Sequence, residues 1–255
     1  VIYGLYLSAS GVIANSYRED VIANNLANSE TTGFKRSTTA FQQRLTAAQE
    51  QSAMQGKTDP TLEGIGGGLF ASPTGVDMAQ GDLEETGNPL DLAVMGKGFF
   101  AVQDHGQTQL TRNGKFILDR QGNVIVDDGS GHQVLGSDMK PLQLDPNQIG
   151  QTTVNAAGEI TQSGKLIAKV GLFDVSDESK LKPKGGNLMD ASDAGDLQAA
   201  DGNVRSRFTE RSNVDPAIEL TQLMDAQRQL EANANMIKTQ DETLAKAVTD
   251  VGKIS

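Results

Sequence analysis

The chain has 255 residues, a formal net charge of −11 and no cysteine. That balance, without a concentrated basic run, argues against nucleic-acid binding and against electrostatic capture by anionic lipid; the missing thiols exclude disulfides, thiolate zinc sites and cysteine nucleophiles. No stretch approaches the roughly 20 apolar residues of a membrane span, and with 4% aromatic residues and no Trp any core rests mainly on aliphatics.

The first element is a helix. Ile2, Leu5, Ala9 and Val12 fall on one helical stripe, while Tyr6, Ile13 and Tyr17 fall on another beside it. An apolar sector that wide predicts burial on more than one side. Val21, Ile22, Ala23, Leu26 and Ala27 continue the pattern. Val1 to Ala14 has the look of a signal-peptide core, but no positive region precedes it, Arg18 is the first basic residue, and Gly4, Ser8, Ser10 and Gly11 dilute it. It reads as mature structure, so export would use a route that cleaves no N-terminal signal. Asn28, Ser29, Thr31, Thr32 and Gly33 supply turn chemistry that ends the helix. The N-terminal segment therefore spans residues 1–33.

Residues 34–87 read as a connector. Phe34 stands between the turn and the basic pair Lys35–Arg36, Thr39 to Gln55 is a short helical or extended stretch, and Gly64 to Gly68 is a glycine-rich run. Residues 88–202 read as a β-domain. Leu90 to Val94 and Phe99 to Val102 flank Gly96-Lys97-Gly98 in a hairpin-like arrangement. Lys115 to Leu118 and Val124 to Val126 flank the turn Asp119-Arg120-Gln121-Gly122. Thr152 to Val154, Glu159 to Thr161 and Lys165 to Val175 follow as further strands. Strands at this spacing predict a mainly antiparallel β-domain, built as a partly closed barrel or a sandwich. Residues 203–214 form a return strand beside the connector near residue 34, ending in a cap.

From Asp215 to residue 255 the chain reads as one long helix, with Ser212, Asn213 and Asp215 as candidate caps and Pro216 in its first turn. Leu223, Leu230, Ile237, Leu244 and Val251 fall on a strict seven-residue beat, the period of a helix that packs along another helix. Gln227, Ala234, Asp241 and Val248 occupy the alternating positions, so the second half of that seam is weak. From Pro216 to Val251 such a helix runs about 54 Å at 1.5 Å per residue, too long to hide against the middle of a compact domain. The fold class expected is therefore α+β, with long N- and C-terminal helices packed as a coiled-coil-like pair and a central antiparallel β-domain.

Nothing in the chain supports catalysis. Both histidines, His105 and His132, sit in glycine-containing turns outside any spaced metal motif and read as solvated loop residues. Gly64 to Gly68 lacks the Lys-Ser/Thr pair of a phosphate loop, and Gly96-Lys97-Gly98 runs into a strand instead of a helix. Asp127-Asp128-Gly129-Ser130-Gly131 lacks the ligand spacing of a calcium loop and reads as a charged turn. No metal or cofactor is expected. In local terms, the run Asn24 to Arg36 closes a helix, and Ser212 to Asp215 with Glu219-Leu220-Thr221 caps one and continues as a charged outer face.

Taken together, three motif groups resemble the bacterial flagellar rod and hook protein family. They are Asn25-Leu26-Ala27-Asn28 with Thr32-Gly33-Phe34-Lys35; Asn88 to Ala93 with Gly96-Lys97-Gly98-Phe99-Phe100 and Thr111-Arg112-Asn113-Gly114; and Ser212-Asn213-Val214-Asp215 with Glu219-Leu220 and Gln227-Arg228. The resemblance covers essentially the whole chain. Its length points to a rod component, and Ile65 to Gly68 with Gln80-Gly81-Asp82-Leu83 is closer to the distal rod pattern, the proximal type being the alternative. The resemblance implies a non-enzymatic axial subunit whose terminal helices line the inner tube of a helical polymer. It also implies a location in the periplasm-spanning rod of the basal body. Implied partners are further copies of itself, other rod and hook axial proteins, the flagellar type III export apparatus and surrounding ring proteins, with no nucleic acid and no membrane insertion. Assembly contacts are expected at Leu5, Val12, Asn25, Leu26, Asn28, Thr32, Gly33, Phe34, Leu220, Leu223, Leu230, Ile237, Leu244 and Val251. A competing expectation is a non-catalytic binding module whose helical ends only dimerise.

Overall fold

A computed structural model describes residues 2–43, 69–71 and 75–252, with side chains described within 4–41 and 75–249. The chain forms two compact units. One comprises Val1–Leu26, Ser37–Gly75 and Asp215–Ser255; the other comprises Ala27–Arg36 and Val76–Val214.

The first unit is built on two long helices that contact each other, α1 (Ile2–Ala27) and α2 (Pro216–Gly252). Asp215 caps α2, its Oδ1 accepting from the Ala217 and Ile218 amides at 2.9 and 3.3 Å, and Pro216 opens it where no amide donor is needed. Of the other two candidate caps, Ser212 accepts from the Val214 amide at 3.2 Å and Asn213 is used elsewhere. Short strands β1 (Ser37–Thr38), β2 (Phe41–Gln43), β3 (Leu69–Ala71) and β4 (Gly75–Val76) follow α1, with β2 antiparallel to β3. The Gly64 to Gly68 run and the remainder of the Thr39 to Gln55 stretch lie outside the described residues. No described helix is long and apolar enough to cross a membrane.

The second unit is antiparallel β-structure. Its strands are β5 (Leu83–Glu85), β6 (Leu92–Met95), β7 (Phe99–Asp104), β8 (Gln107–Thr111), β9 (Phe116–Leu118), β10 (Val124–Val126), β11 (Gln133–Val134), β12 (Thr152–Val154), β13 (Glu159–Gln162), β14 (Lys165–Lys169), β15 (Leu172–Val175), β16 (Lys182–Gly185), β17 (Leu188–Asp190), β18 (Leu197–Ala199), β19 (Asn203–Ser206) and β20 (Phe208–Glu210). The main sheet runs β16-β17-β8-β7-β11-β10-β9, with β15 joining β7 to β18. β12, β13 and β14 make a separate sheet, while β19 pairs β6 and β20 pairs β5.

Strand β7 organises the core. One edge pairs β8 from Phe100 to Asp104; the other takes β15 at Phe99 and Phe100 and β11 at Val102 and Gln103. Alternation along β7 then feeds two apolar clusters. Phe100 and Val102 join Leu92, Phe116 and Ile160, whereas Phe99 and Ala101 join Leu110, Phe173 and Met189. With both faces covered, the strand reads as a continuous apolar run. Phe100 meets Phe116 edge-on, centroids 5.1 Å apart.

Two local expectations are corrected. The segments flanking Gly96-Lys97-Gly98 do not form a hairpin: β6 pairs β19 and β7 pairs β8. Gly96 and Gly98 take φ of 88° and 118° and redirect the chain between sheets. Lys165 to Val175 is two strands, because β14 pairs β13 while β15 pairs β7 and β18, with Val170 bridged to Gly136 between them. The expected hairpin across residues 119–122 forms, in register Val124 to Leu118, with Asp119 Oδ1 accepting from the Gln121 and Asn123 amides.

Candidate functional site

Two constructions stand out, one in each unit. In the first unit, the covered positions on α2, Gln222 apart, are Glu219, Leu223, Ala226, Leu230, Asn233, Ile237, Gln240 and Leu244, an alternation of four and three. Leu223, Leu230, Ile237 and Leu244 are half-buried along it, and Val251 lies outside the described side chains. The second row differs from the expectation. Gln227, Ala234, Asp241 and Val248 are exposed, and the row one residue earlier, Ala226, Asn233 and Gln240, replaces them.

Glycines on α1 explain the choice. A Cβ on Gly4 would lie 2.8 Å from Gln240 Nε2, and one on Gly11 would lie 2.9 Å from Asn233 Nδ2. Each glycine leaves room for one long amide. A third layer joins Asn25 Nδ2 to Glu219 Oε2 at 3.4 Å. Seven-residue steps up α1 are thus answered by seven-residue steps back along α2, which makes the pair antiparallel. Leu5, Val12 and Leu26 are half-buried beside the α1 row, and Gln227 Nε2 reaches Glu19 Oε1 at 3.2 Å.

Asn25 is fully buried and also fixes the chain that follows α1. Its Nδ2 donates to Ser37 O, and its Oδ1 accepts from Ser37 N, both at 2.8 Å. The side-chain amide thereby imitates a neighbouring strand. Glu219 is 1% exposed, so the charged outer face expected there begins later. Leu220 is 49% exposed.

The second construction is a buried charge cluster in the β-rich unit. Lys35 Nζ donates to Glu210 Oε1 at 2.5 Å and to Ala79 O at 2.7 Å. Arg112 lies 3.4 Å from Glu210 Oε2, donates to Gly96 O at 2.9 Å and stacks 5.0 Å over the Phe99 ring. The Gly81 amide also donates to Glu210 Oε1. Burial pushes the Lys35 ammonium below its ordinary value, against the opposing hydrogen bond from Glu210, and burial lowers Arg112 likewise.

Turn residues from the N-terminal motif close this cluster. Asn28 receives the Thr31 amide at 3.1 Å, the Phe34 amide reaches Thr31 O at 3.2 Å, and Phe34 is half-buried. Thr32 O accepts from Asn187 Nδ2 at 2.6 Å. Gly33, at φ 69°, donates to Glu210 O, and a Cβ on it would sit 2.4 Å from the Arg112–Asn113 peptide. Asn213 ties the return segment in, accepting from the Arg36 amide and donating to Asp77 O and Ala79 O. Sequence reasoning missed the parts played by Glu210, Gly4 and Gly11 and read Asn213 as a helix cap; the seven-residue spacing of the two glycines was a usable signal.

None of this is arranged for reaction chemistry. Among the described residues no group of three or more His, Asp or Glu side chains is placed to hold a metal ion. Asp128 is engaged by Ser130, and Asp127 pairs with Lys115 at 2.8 Å. His105 is solvated, whereas His132 is largely covered and lies 3.3 Å from Asp104, a correction to its expected solvation.

Comparison with known proteins follows the same three regions. Residues 5–35 match the family described as Flagella basal body rod protein, residues 93–162 the Flagellar hook protein FlgE/F/G D1 domain, and residues 205–250 the Flagellar basal body rod FlgEFG protein C-terminal. The chain is 32% identical over 254 residues to the flagellar basal-body rod protein FlgF of Caulobacter vibrioides, covering 98% of each. It is 33% identical to FlgG of the same bacterium, over 94% of this chain and 96% of that one, and 32% identical to FlgG of Bacillus subtilis, over 96% and 97%. With likeness at that level from end to end, the chain belongs to the family of flagellar basal-body rod proteins.

Proposed function

We propose that the protein is a structural axial subunit of the flagellar basal-body rod, polymerising through its terminal helices into a tubular shaft that transmits torque and encloses the export channel. The family is structural and not enzymatic. The reading extends to a coiled-coil-like pairing of α1 with α2, to passage through the type III export apparatus into the periplasm, and to contact with other axial proteins and with surrounding rings.

The observation that carries it is the two-sided character of the helices. One side of each helix meets the other, and the covered side of α2 supports the pairing with its alternation of four and three. The remaining surface still presents Tyr6 at 50%, Ile13 at 70%, Met236 at 53% and Val248 at 71% exposure. Apolar surface left bare after one pairing is available for another, at about 25 cal/mol per Å² buried. Head-to-tail contacts that do not close give a filament. In this reading Asn25, Leu223, Leu230, Ile237 and Leu244 hold the pair, Leu220 faces a neighbouring copy, and Asn28, Thr32, Gly33 and Phe34 set the exit of α1.

Two variants of the full chain separate these roles. Ile13→Asp should leave the helical circular dichroism of the unassembled chain unchanged and stop polymer growth in sedimentation and electron microscopy. Leu230→Asp should reduce helicity and assembly together. Polymers of ordinary length from the Ile13→Asp chain would remove the role assigned to the outward faces.

A further inference from the structure

In the three-stranded sheet, the ladder between β13 and β14 slips between Ile160 and Thr161: Thr161 faces Leu166 and Ile160 faces Ala168, so Ile167 has no opposite number. A bulge of this kind breaks the two-residue alternation and re-aims the side chains around it. Lys165, Leu166 and Ile167 are consequently all exposed. Leu166 is 56% exposed, more than any other large apolar residue described between 76 and 214, and Ile167 is 42% exposed. β14 lies at the border of its sheet among the described residues. Lys165 and Lys169 stand exposed at its two ends, and no ion pair among the described residues involves either.

Lysines at a sheet border ordinarily discourage pairing. That task needs only the charges and does not call for two adjacent aliphatic side chains turned to solvent. We infer that the border strand β14, with Leu166 and Ile167 as apolar knobs between Lys165 and Lys169, is a contact surface for a second copy of this chain, separate from the terminal helices. The inference rests on the rod-subunit reading, for which it names an additional interface.

Charge selects the occupant. A chain of net charge −11 repels its copies in general, so approach is favoured where one copy's cations meet another's carboxylates. The same unit carries the complement. Asp82, Glu84 and Glu85 are exposed along β5, whose described ladder is with β20 alone; Glu84 shares Arg211 at 3.8 Å. Lys165–Lys169 of one copy against Asp82–Glu85 of the next is a head-to-tail contact, the kind that propagates.

The absence of cysteine permits a clean test. Full-length Lys165→Cys and Glu85→Cys chains are prepared separately, mixed under conditions in which the unsubstituted chain pellets as polymer, and oxidised. A disulfide-linked dimer containing one chain of each kind is expected, in clear excess over dimers of either alone. Leu166→Asp with Ile167→Asp should abolish it and raise the concentration needed for pelleting about tenfold, equivalent to about 1.4 kcal/mol. Lys165→Glu with Lys169→Glu should lose the contact, and Glu84→Lys with Glu85→Lys on the other copy should restore it. A polymer that pellets normally without the mixed dimer overturns the inference, as does cross-linking of Lys165→Cys only to an unlike protein in envelope preparations. Leu230→Asp chains that pellet normally and still form the mixed dimer would remove the helix reading and support this one.

Discussion

Glu210 accepts from Lys35 and the Gly81 amide and faces Arg112, with no exposed surface on its side chain. Two buried cations thus share one carboxylate. Taking that charge away leaves them unneutralised, and the cost exceeds whatever the cluster contributes when whole. Glu210→Gln should lower unfolding stability by about 3–5 kcal/mol in urea titration, whereas exposed Glu85→Gln should change it by less than about 0.5 kcal/mol. The lysine sets a pH dependence. Its folded value lies below the 10.5 of the unfolded chain, so between those two values the folded state binds fewer protons and stability rises with pH. Below that window the cost of burying the charge is present in full. Wild type should therefore gain on Lys35→Met as pH climbs towards 10.5, read from urea midpoints. The sequence marks Gly33 as a turn residue, and the turn forms. It could not reveal that Lys35, Arg112 and Glu210 meet, because a contact between remote points leaves no local period.

At the scale of elements, the covered row Leu223, Leu230, Ile237 and Leu244 on α2 was legible from its apolar residues, while its companion row was misplaced by one step. The expected row carries Ala234 and Val248 and is the less polar of the two, so hydropathy does not select the row that is covered. What decides is space on α1: Gly4 and Gly11 admit Gln240 and Asn233. Gly11→Leu should test this directly. Replacing glycine in a helix gains about 0.8–1 kcal/mol of propensity, and overpacking against Asn233 costs about 1–3 kcal/mol. The net loss should appear in thermal melts and be relieved when Asn233→Ala is added, a coupling that an additive pair would not show. The β6–β7 segment misled for a related reason. Two apolar runs flanking glycines carry a hairpin's local signature, yet β6 pairs β19, more than a hundred residues along the chain.

Across the whole molecule, the α+β class was readable from helical periods at the two ends and strand spacing between them, and the family from three motif groups in order along the chain. The identity of strand partners in the β-rich unit was not, since short strands of similar composition pair by three-dimensional closure. Strength of packing should differ accordingly. β7 is covered on both faces and bonded along both edges, whereas the α1–α2 seam alternates half-buried aliphatics with amides and glycines. Hydrogen exchange on the unassembled chain should leave Phe99–Val102 amides protected longest and exchange those of α2 beyond Met236 first. Equal protection in both places would contradict that ranking.

The chain order of the charge cluster has a consequence for biogenesis. A ribosome delivers Lys35 and Arg112 long before it delivers Glu210. Until residue 210 emerges, the two cations have no carboxylate to enter the interior with, and β20 cannot settle beside β5. Nascent chains halted at residue 200 should thus remain sensitive to protease across residues 80–115, and those released beyond 215 should become resistant. A subunit whose synthesis has not reached residue 210 should accordingly stay open, and the segment from Asn203 to Glu210 should lock what came before.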